Sequence, residues 1–282
     1  MTESAAQAAY RAKDPILERI GPRRGMSAVQ RRRLRRQAIA AVVVIAAWEL
    51  IGRYGTSTDL FFAPLSSIFM AGVKLWETGE LQTDIAASFQ AFGYGMLIAT
   101  VVGVVLGILI AVNQTVRDYV DPYVSALYAT PLVAVAPLVI LWFGLGVASK
   151  VIVVFVTAVF PVLINTSVGI RQTDANLIEV AHSFGASRRQ VIAKVLVPSS
   201  IPFVIAGIRL AVGRGIVGVV VGELFGAQAG LGYLIFVSGQ TFDVASLFVG
   251  VLLLAFAGVG LTALVHWVES RVAKWNRFAL DE

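Results

Sequence analysis

The sequence predicts an all-α polytopic membrane protein with about six transmembrane helices and a short helical elbow on the cytoplasmic side. Three observations predict it. The composition is 57% hydrophobic and 14% charged, whereas soluble domains average about 45–50% and about 25%, and mean hydropathy is +0.80. Six apolar runs recur along the chain, and a span needs about 20 such residues. Between the fourth and fifth runs lies a polar interlude, Arg171 to Pro202, whose apolar residues recur at helical spacing. The absence of cysteine excludes disulfides and thiolate metal sites. The net charge of +6 sits at the ends of apolar runs, where it orients membrane segments and does not make a nucleic-acid surface.

In chain order, residues 1–37 form a polar, arginine-rich tail ending in Arg31 to Arg36, too poor in apolar residues to bury a core. The membrane domain then covers residues 38–270. Its first span is about Ala38 to Gly52 and is expected to stay attached, because the tail is too long for a signal-peptide n-region. Pro64, Ser66 and Ser67 start an amphipathic helix running through Trp76, lying at the interface. The second span, about Ile85 to Val112, carries a small-residue face at Gly103 and Gly107 for close packing. A tight turn at Asn113 to Asp121 leads to the third span, about Tyr123 to Phe143, which Pro131 and Pro137 should kink. An outer turn at Lys150 precedes the fourth span, about Val151 to Ile170. The fifth is about Phe203 to Gly222, and the sixth about Val244 to Val268. A basic tail, residues 271–282, follows.

The elbow, residues 171–202, reads as two helices. Asp174 caps the first, and Leu177, Val180, Ala181 and Phe184 form its apolar stripe. Gly185 stands where a helix ends in a left-handed conformation. Ser187 and Gln190 make a capping box for the second helix, whose face is Val191, Ile192, Val195 and Leu196 and which Pro198 should stop. Lysine and arginine set the sidedness: 18 of 23 fall on the segments that share the elbow's side, 3 on the other and 2 within span five. Both termini and the elbow are therefore expected in the cytoplasm.

The order Glu179, Ala181, Gly185, Pro198 resembles the "EAA" loop of ABC-importer permeases, with Val180 in place of the family's usual first alanine. Four further stretches occur in the family's order: 137–144, 160–166, 169–171 and 222–234. Together they are similar to the subgroup serving nitrate, sulfonate, taurine and bicarbonate uptake, over about Pro64 to Asn276. The resemblance implies a type I importer permease fold and a location in the bacterial inner membrane. It also implies a second copy of the chain, two ATP-binding cassette ATPase subunits below, and a periplasmic or lipid-anchored solute-binding protein above. It places Glu179, Val180, Ala181, Phe184, Gly185, Ala186 and Arg188 at the ATPase-coupling surface.

Catalytic chemistry is not expected. No G-x-x-x-x-G-K-[ST] loop occurs, so ATP and magnesium, if used, are bound by the partner ATPase, and no cofactor or metal is expected in this chain. Ionisable residues within spans are functional by default. Arg214 and Arg209 are thus candidates for an anion path, although Arg209, nearer the cytoplasmic boundary, can instead snorkel. Glu223, Gly226, Gly230 and Gly232 are candidates for an outer gate or binding-protein contact, in a segment expected to be re-entrant or tightly turned. The competing function is an ion-gradient-driven secondary transporter or channel without an ATPase, which the scarcity of membrane carboxylates disfavours. Membrane lipids are the remaining partner, and nucleic acid is not one.

Overall fold

The structure, a computed structural model, describes residues 28–55 and 62–272. Of the expected tail over 1–37, residues 1–27 lie outside the described residues, as does the chain beyond 272, whereas residues 28–37 are helical. The chain divides into two units, broken between Gly55 and Thr56. The first is helix α1, Ala28–Leu50, continued by a widened π-turn, Ile51–Gly55. It starts ten residues before the expected span, because arginine, leucine and glutamine are good helix formers. Glu49 pairs with Arg53 one turn on, at 2.5 Å.

Among the described residues, the regular structure of the second unit is all helical. Helix α2 (Leu65–Glu77) follows Pro64, as expected, and lies against the last helix of the chain. Helices α3 (Glu80–Val112), α6 (Val147–Arg171) and α9 (Val197–Gly226) form its centre, with α6 packed between the other two. The shared core contains Met96, Ala99, Val154, Ala158, Val162, Ala211 and Val219. Apolar helices gain little from the hydrophobic effect inside a bilayer, so close backbone approach must hold them. Glycine provides it. A Cβ at Gly103 would lie 2.8 Å from the Val162 Cβ, and one at Gly107 would lie 2.7 Å from the Thr166 Cβ. On the other flank Gly207 and Gly218 bring α9 against Pro161 and Thr157 of α6.

Four helices of the described residues are long and apolar enough to cross a membrane: 80–112, 147–171, 188–225 and 244–271. A fifth crossing is possible if a bent pair counts as one span. The expected turn at 113–121 is instead the start of helix α4 (Gln114–Ala129), because the Asn113 side chain accepts from the Val116 amide and caps it. The expected proline kink is a break of 80° between α4 and the stretch from Val133 to Phe143. That stretch is a 3₁₀ turn, Leu132–Val135, and helix α5, Ala136–Phe143. The span expected at Ala38–Gly52 belongs to α1, whose N-terminal third is arginine-rich; α1 is not among the four.

After α9 the chain breaks briefly and re-enters helix as α10 (Leu231–Gln240), then α11 (Val244–Val272), with which α10 pairs. Of the segment expected to be re-entrant or tightly turned, residues 227–230 form the break, and Gly232 lies in the first turn of α10.

Candidate functional site

The elbow is built as its local sequence dictates. Helix α7, Ala175–Ser183, opens with the Asp174 side chain accepting from the Asn176 amide at 2.9 Å. It closes at Gly185, whose φ of +74° admits no side chain without strain. Amides of Gly185 and Ala186 then donate to the carbonyls of His182 and Ala181. Helix α8, Arg188–Val191, carries the capping box, with the Gln190 side chain accepting from the Ser187 amide at 2.7 Å. Pro198 does not stop this helix. A π-turn over Ile192–Leu196 precedes it and widens the backbone, so the proline falls in the first turn of α9 and the chain stays helical to Gly226. The wider turn relieves the clash a proline ring makes with the carbonyl four residues earlier.

The two elbow helices differ in what they bury. On α8 and its π-turn, Val191 is buried and Ile192, Val195 and Leu196 are half-buried. On α7 no residue is buried, and Leu177, Val180 and Phe184 are 52%, 52% and 87% exposed. Glu179 is exposed on the same helix, and Ala181 and Ala186 are half-buried. Arg188, itself exposed, reaches back to α3: its Nη2 donates to the Val112 carbonyl at 2.8 Å, capping the end of that helix. Arg171, at the end of α6, lies 3.9 Å from Asp121 on α4.

The opposite end of the bundle holds a buried polar cluster around Glu223, which is 0% exposed. Ser88 Oγ of α3 lies 2.8 and 2.9 Å from the two Glu223 oxygens and donates to them, while accepting from the Leu231 amide at 2.8 Å. The Gly232 amide donates to Glu223 Oε2, also at 2.8 Å. Asp84 accepts from the Gly230 amide at 2.8 Å, and Lys150 Nζ donates to the Ala229 carbonyl at 2.9 Å. Lys150 is near enough to act electrostatically on both carboxylates. Gly230 has φ +138°, and a Cβ there would run into the Glu223 carboxyl group. Gly226 ends α9. Thus α3, α6 and α9 together hold the strand of chain from 229 to 232 through its backbone.

The structure brings together Glu223, Gly230 and Gly232 of the residues expected at the outer gate. Sequence reasoning missed Asp84, Ser88 and Lys150, which complete the cluster. The signal open to it was their shared position, since each is a polar residue in the opening turns of a span on the same side as Glu223.

The two arginines of the fifth span part company. Arg209 forms an ion pair with Glu269 of α11, and the same carboxylate lies 3.3 Å from His266 Nδ1. Arg214 pairs with no carboxylate among the described residues. Its Nη2 donates to Tyr128 Oη of α4 at 3.1 Å, and its Cζ stands 4.7 Å from the centre of that ring. Beside it is a cavity of about 390 Å³ lined by Pro131, Val133, Thr157, Gly213, Arg214 and Val217.

Comparison with known proteins agrees with this architecture. Residues 103–274 match the family described as binding-protein-dependent transport system inner membrane component. A Bacillus subtilis protein assigned to aliphatic sulfonates transport as a permease, SsuC, is 35% identical over 83% of this chain and 85% of its own. The formylaminopyrimidine transport permease ThiX of Halalkalibacterium halodurans is 30% identical over 84% and 94%. The taurine transport system permease TauC of Escherichia coli is 26% identical over 83% and 87%. Among solved structures, a chain of the inward-facing MetNI methionine ABC transporter superposes with a TM-score of 0.57 at 19% identity, covering 69% of this chain and 96% of that one. A chain of an amino acid ABC transporter does so with a TM-score of 0.52 at 17% identity, covering 74% and 97%. With a multi-pass bundle of apolar helices, a capped surface elbow and this match over more than half its length, the chain belongs to the binding-protein-dependent inner-membrane permeases and is a permease subunit of an ABC importer.

Proposed function

We propose that two copies of this chain form the membrane pathway of an ATP-driven importer, and that the elbow at residues 171–202 couples it to two ATP-binding cassette subunits. The observation that carries this reading is α7. It is capped at both ends, yet its apolar stripe of Leu177, Val180 and Phe184 faces outward, beside Glu179. A stiff amphipathic helix with its apolar face outward is suited to lie in a groove on another protein. Glu179, Val180, Ala181, Phe184, Gly185 and Ala186 form that docking surface. Arg188 acts from behind, fastening the elbow to the end of α3.

ATP and magnesium are bound by the partner subunits. Closure of the ATPase pair pulls the elbow, and α6 and α9, which lead into and out of it, carry the motion to the pathway as packed rods. The elbow and both termini lie in the cytoplasm of a bacterial inner membrane, in keeping with the lysine and arginine distribution. A periplasmic or lipid-anchored solute-binding protein delivers solute at the opposite end, over the segment that Glu223 holds. The solute is a small oxyanion of the nitrate, sulfonate, taurine or bicarbonate kind. Relatives named for sulfonates and taurine support this, as does the cationic Arg214 deep in α9.

The test is recovery of the tagged protein from native membranes, with its partners identified by mass spectrometry. A P-loop ATPase should co-purify with the wild type. Glu179→Ala should fold and insert normally but lose most of the ATPase and most uptake, and Gly185→Val, which strains the turn at the end of α7, should insert with the elbow distorted and lose both as well. Full uptake by both variants would refute the coupling role, and a pure homo-oligomer that transports in liposomes without ATP would refute the importer.

A further inference from the structure

We propose that Arg214 and Tyr128 form a binding site for the oxoanion head of a small organic monoanion, with the neighbouring cavity receiving its apolar body. This deepens the importer reading and rests on it for the site's place on a transport path.

Depth makes the arginine conspicuous. At 1.5 Å rise per residue it stands about 18 Å from the outer end of α9 and about 26 Å from the other, within the apolar stretch long enough to cross a membrane. A cation at that depth is costly and persists where it faces a cavity or a partner. Among the described residues no carboxylate pairs with it, in contrast to Arg209, which Glu269 neutralises. Tyr128 stacks on its face and accepts one hydrogen bond, but a phenol carries no charge. The positive charge is thus oriented without being cancelled.

The chemistry of the walls narrows the ligand. Pro131, Val133, Gly213 and Val217 offer no side-chain donor. The Thr157 hydroxyl lies 3.0 and 2.9 Å from the carbonyls of Val153 and Val154, which take its proton, so it offers no donor to a ligand. Among the lining residues the donor is therefore the Arg214 fork; Tyr128 stands beside the cavity and not in its wall, and its hydroxyl, which accepts from Arg214, keeps its own proton to donate to a head group held there. A planar fork matches the two oxygens of a carboxylate or sulfonate bidentately. One guanidinium balances one negative charge, so a dianion would leave one charge uncompensated among apolar walls. About 390 Å³ suits a small organic molecule, at the lower end of ligand pockets. Gly213 keeps the space open, since a Cβ there would meet nothing within 4 Å.

Ethanesulfonate and propionate are the probes, titrated calorimetrically into the full-length protein in lipid nanodiscs, with sulfate and the neutral ethanesulfonamide as comparators. At least one monoanion should bind, and both comparators should bind at least about tenfold more weakly. Arg214→Gln should weaken binding on the order of 10- to 100-fold, the scale of a charged hydrogen bond. Arg214→Lys, which keeps the charge and loses the fork, should fall between. Gly213→Leu should abolish binding by filling the cavity with Arg214 untouched, and it serves as the deciding variant should Arg214→Gln not fold. Binding of neither monoanion, or wild-type affinity in Gly213→Leu and Arg214→Lys, would overturn the proposal. The measurement needs no ATPase. Binding without ATPase recovery would leave the site standing and remove the importer, and the reverse result would do the opposite.

Discussion

Glu223 shows how much one side chain can organise. Its carboxyl group receives the Ser88 hydroxyl and the Gly232 amide, and its bulk is what Gly230 must avoid. Truncation to alanine strands both donors in a buried site, at about 1–3 kcal/mol for each group left unsatisfied. Glu223→Ala should therefore lower the thermal unfolding midpoint markedly in detergent, and Glu223→Gln, which keeps length and an acceptor, should lower it less. Equal midpoints for the two would mean that the hydrogen bonds carry no weight. The contacts of this cluster were not legible in the sequence, because Asp84, Ser88, Lys150 and Glu223 are brought together from three helices; only their shared place near the same ends of those helices signalled it. Local chemistry was legible throughout. Asp174, Gly185 and the Ser187–Gln190 pair act on backbone within a few residues, and each does in the structure what its type and spacing imply.

At the scale of the element, α6 is gripped on two sides by helices that approach through glycine. The small-residue face at Gly103 and Gly107 was readable from a spacing of four, which places both on one side of a helix. What spacing could not tell was the partner, which is α6. Gly103→Val should force α3 from α6, since the added Cβ alone would already sit 2.8 Å from the Val162 Cβ. Overpacking of this kind costs about 1–3 kcal/mol, so a lower unfolding midpoint is expected, with Gly93→Ala on the same helix as the harmless control because a Cβ there meets nothing. Element ends were harder to read. Proline suggested a stop at 198 and a kink near 131; the first was absorbed by a π-turn and the second became an 80° break. Proline marks where regular hydrogen bonding must fail, but neighbouring backbone decides how.

For the whole molecule, two polar fastenings stand at opposite ends of the same three helices. One holds the segment at 229–232; the other joins the elbow to α3 through Arg188 and α6 to α4 through Arg171 and Asp121. If the elbow drives the pathway, the fastening at its own end must bear the load. Arg188→Ala should leave ATPase recovery in the pull-down near wild type, because α7 is untouched, while lowering the ratio of solute imported to ATP hydrolysed several-fold in liposomes. An unchanged ratio would show that α3 is not driven through Val112.

The break between α4 and α5 bears on the lipid itself. Hydrocarbon solvates no peptide group, so irregular backbone at membrane depth is tolerated only against protein or water. Where residues 130 to 135 meet the bilayer, they must therefore stand against protein or water and not against lipid. The open amides and carbonyls of this stretch exclude acyl chains, so a second protein body or a column of water has to lie against them.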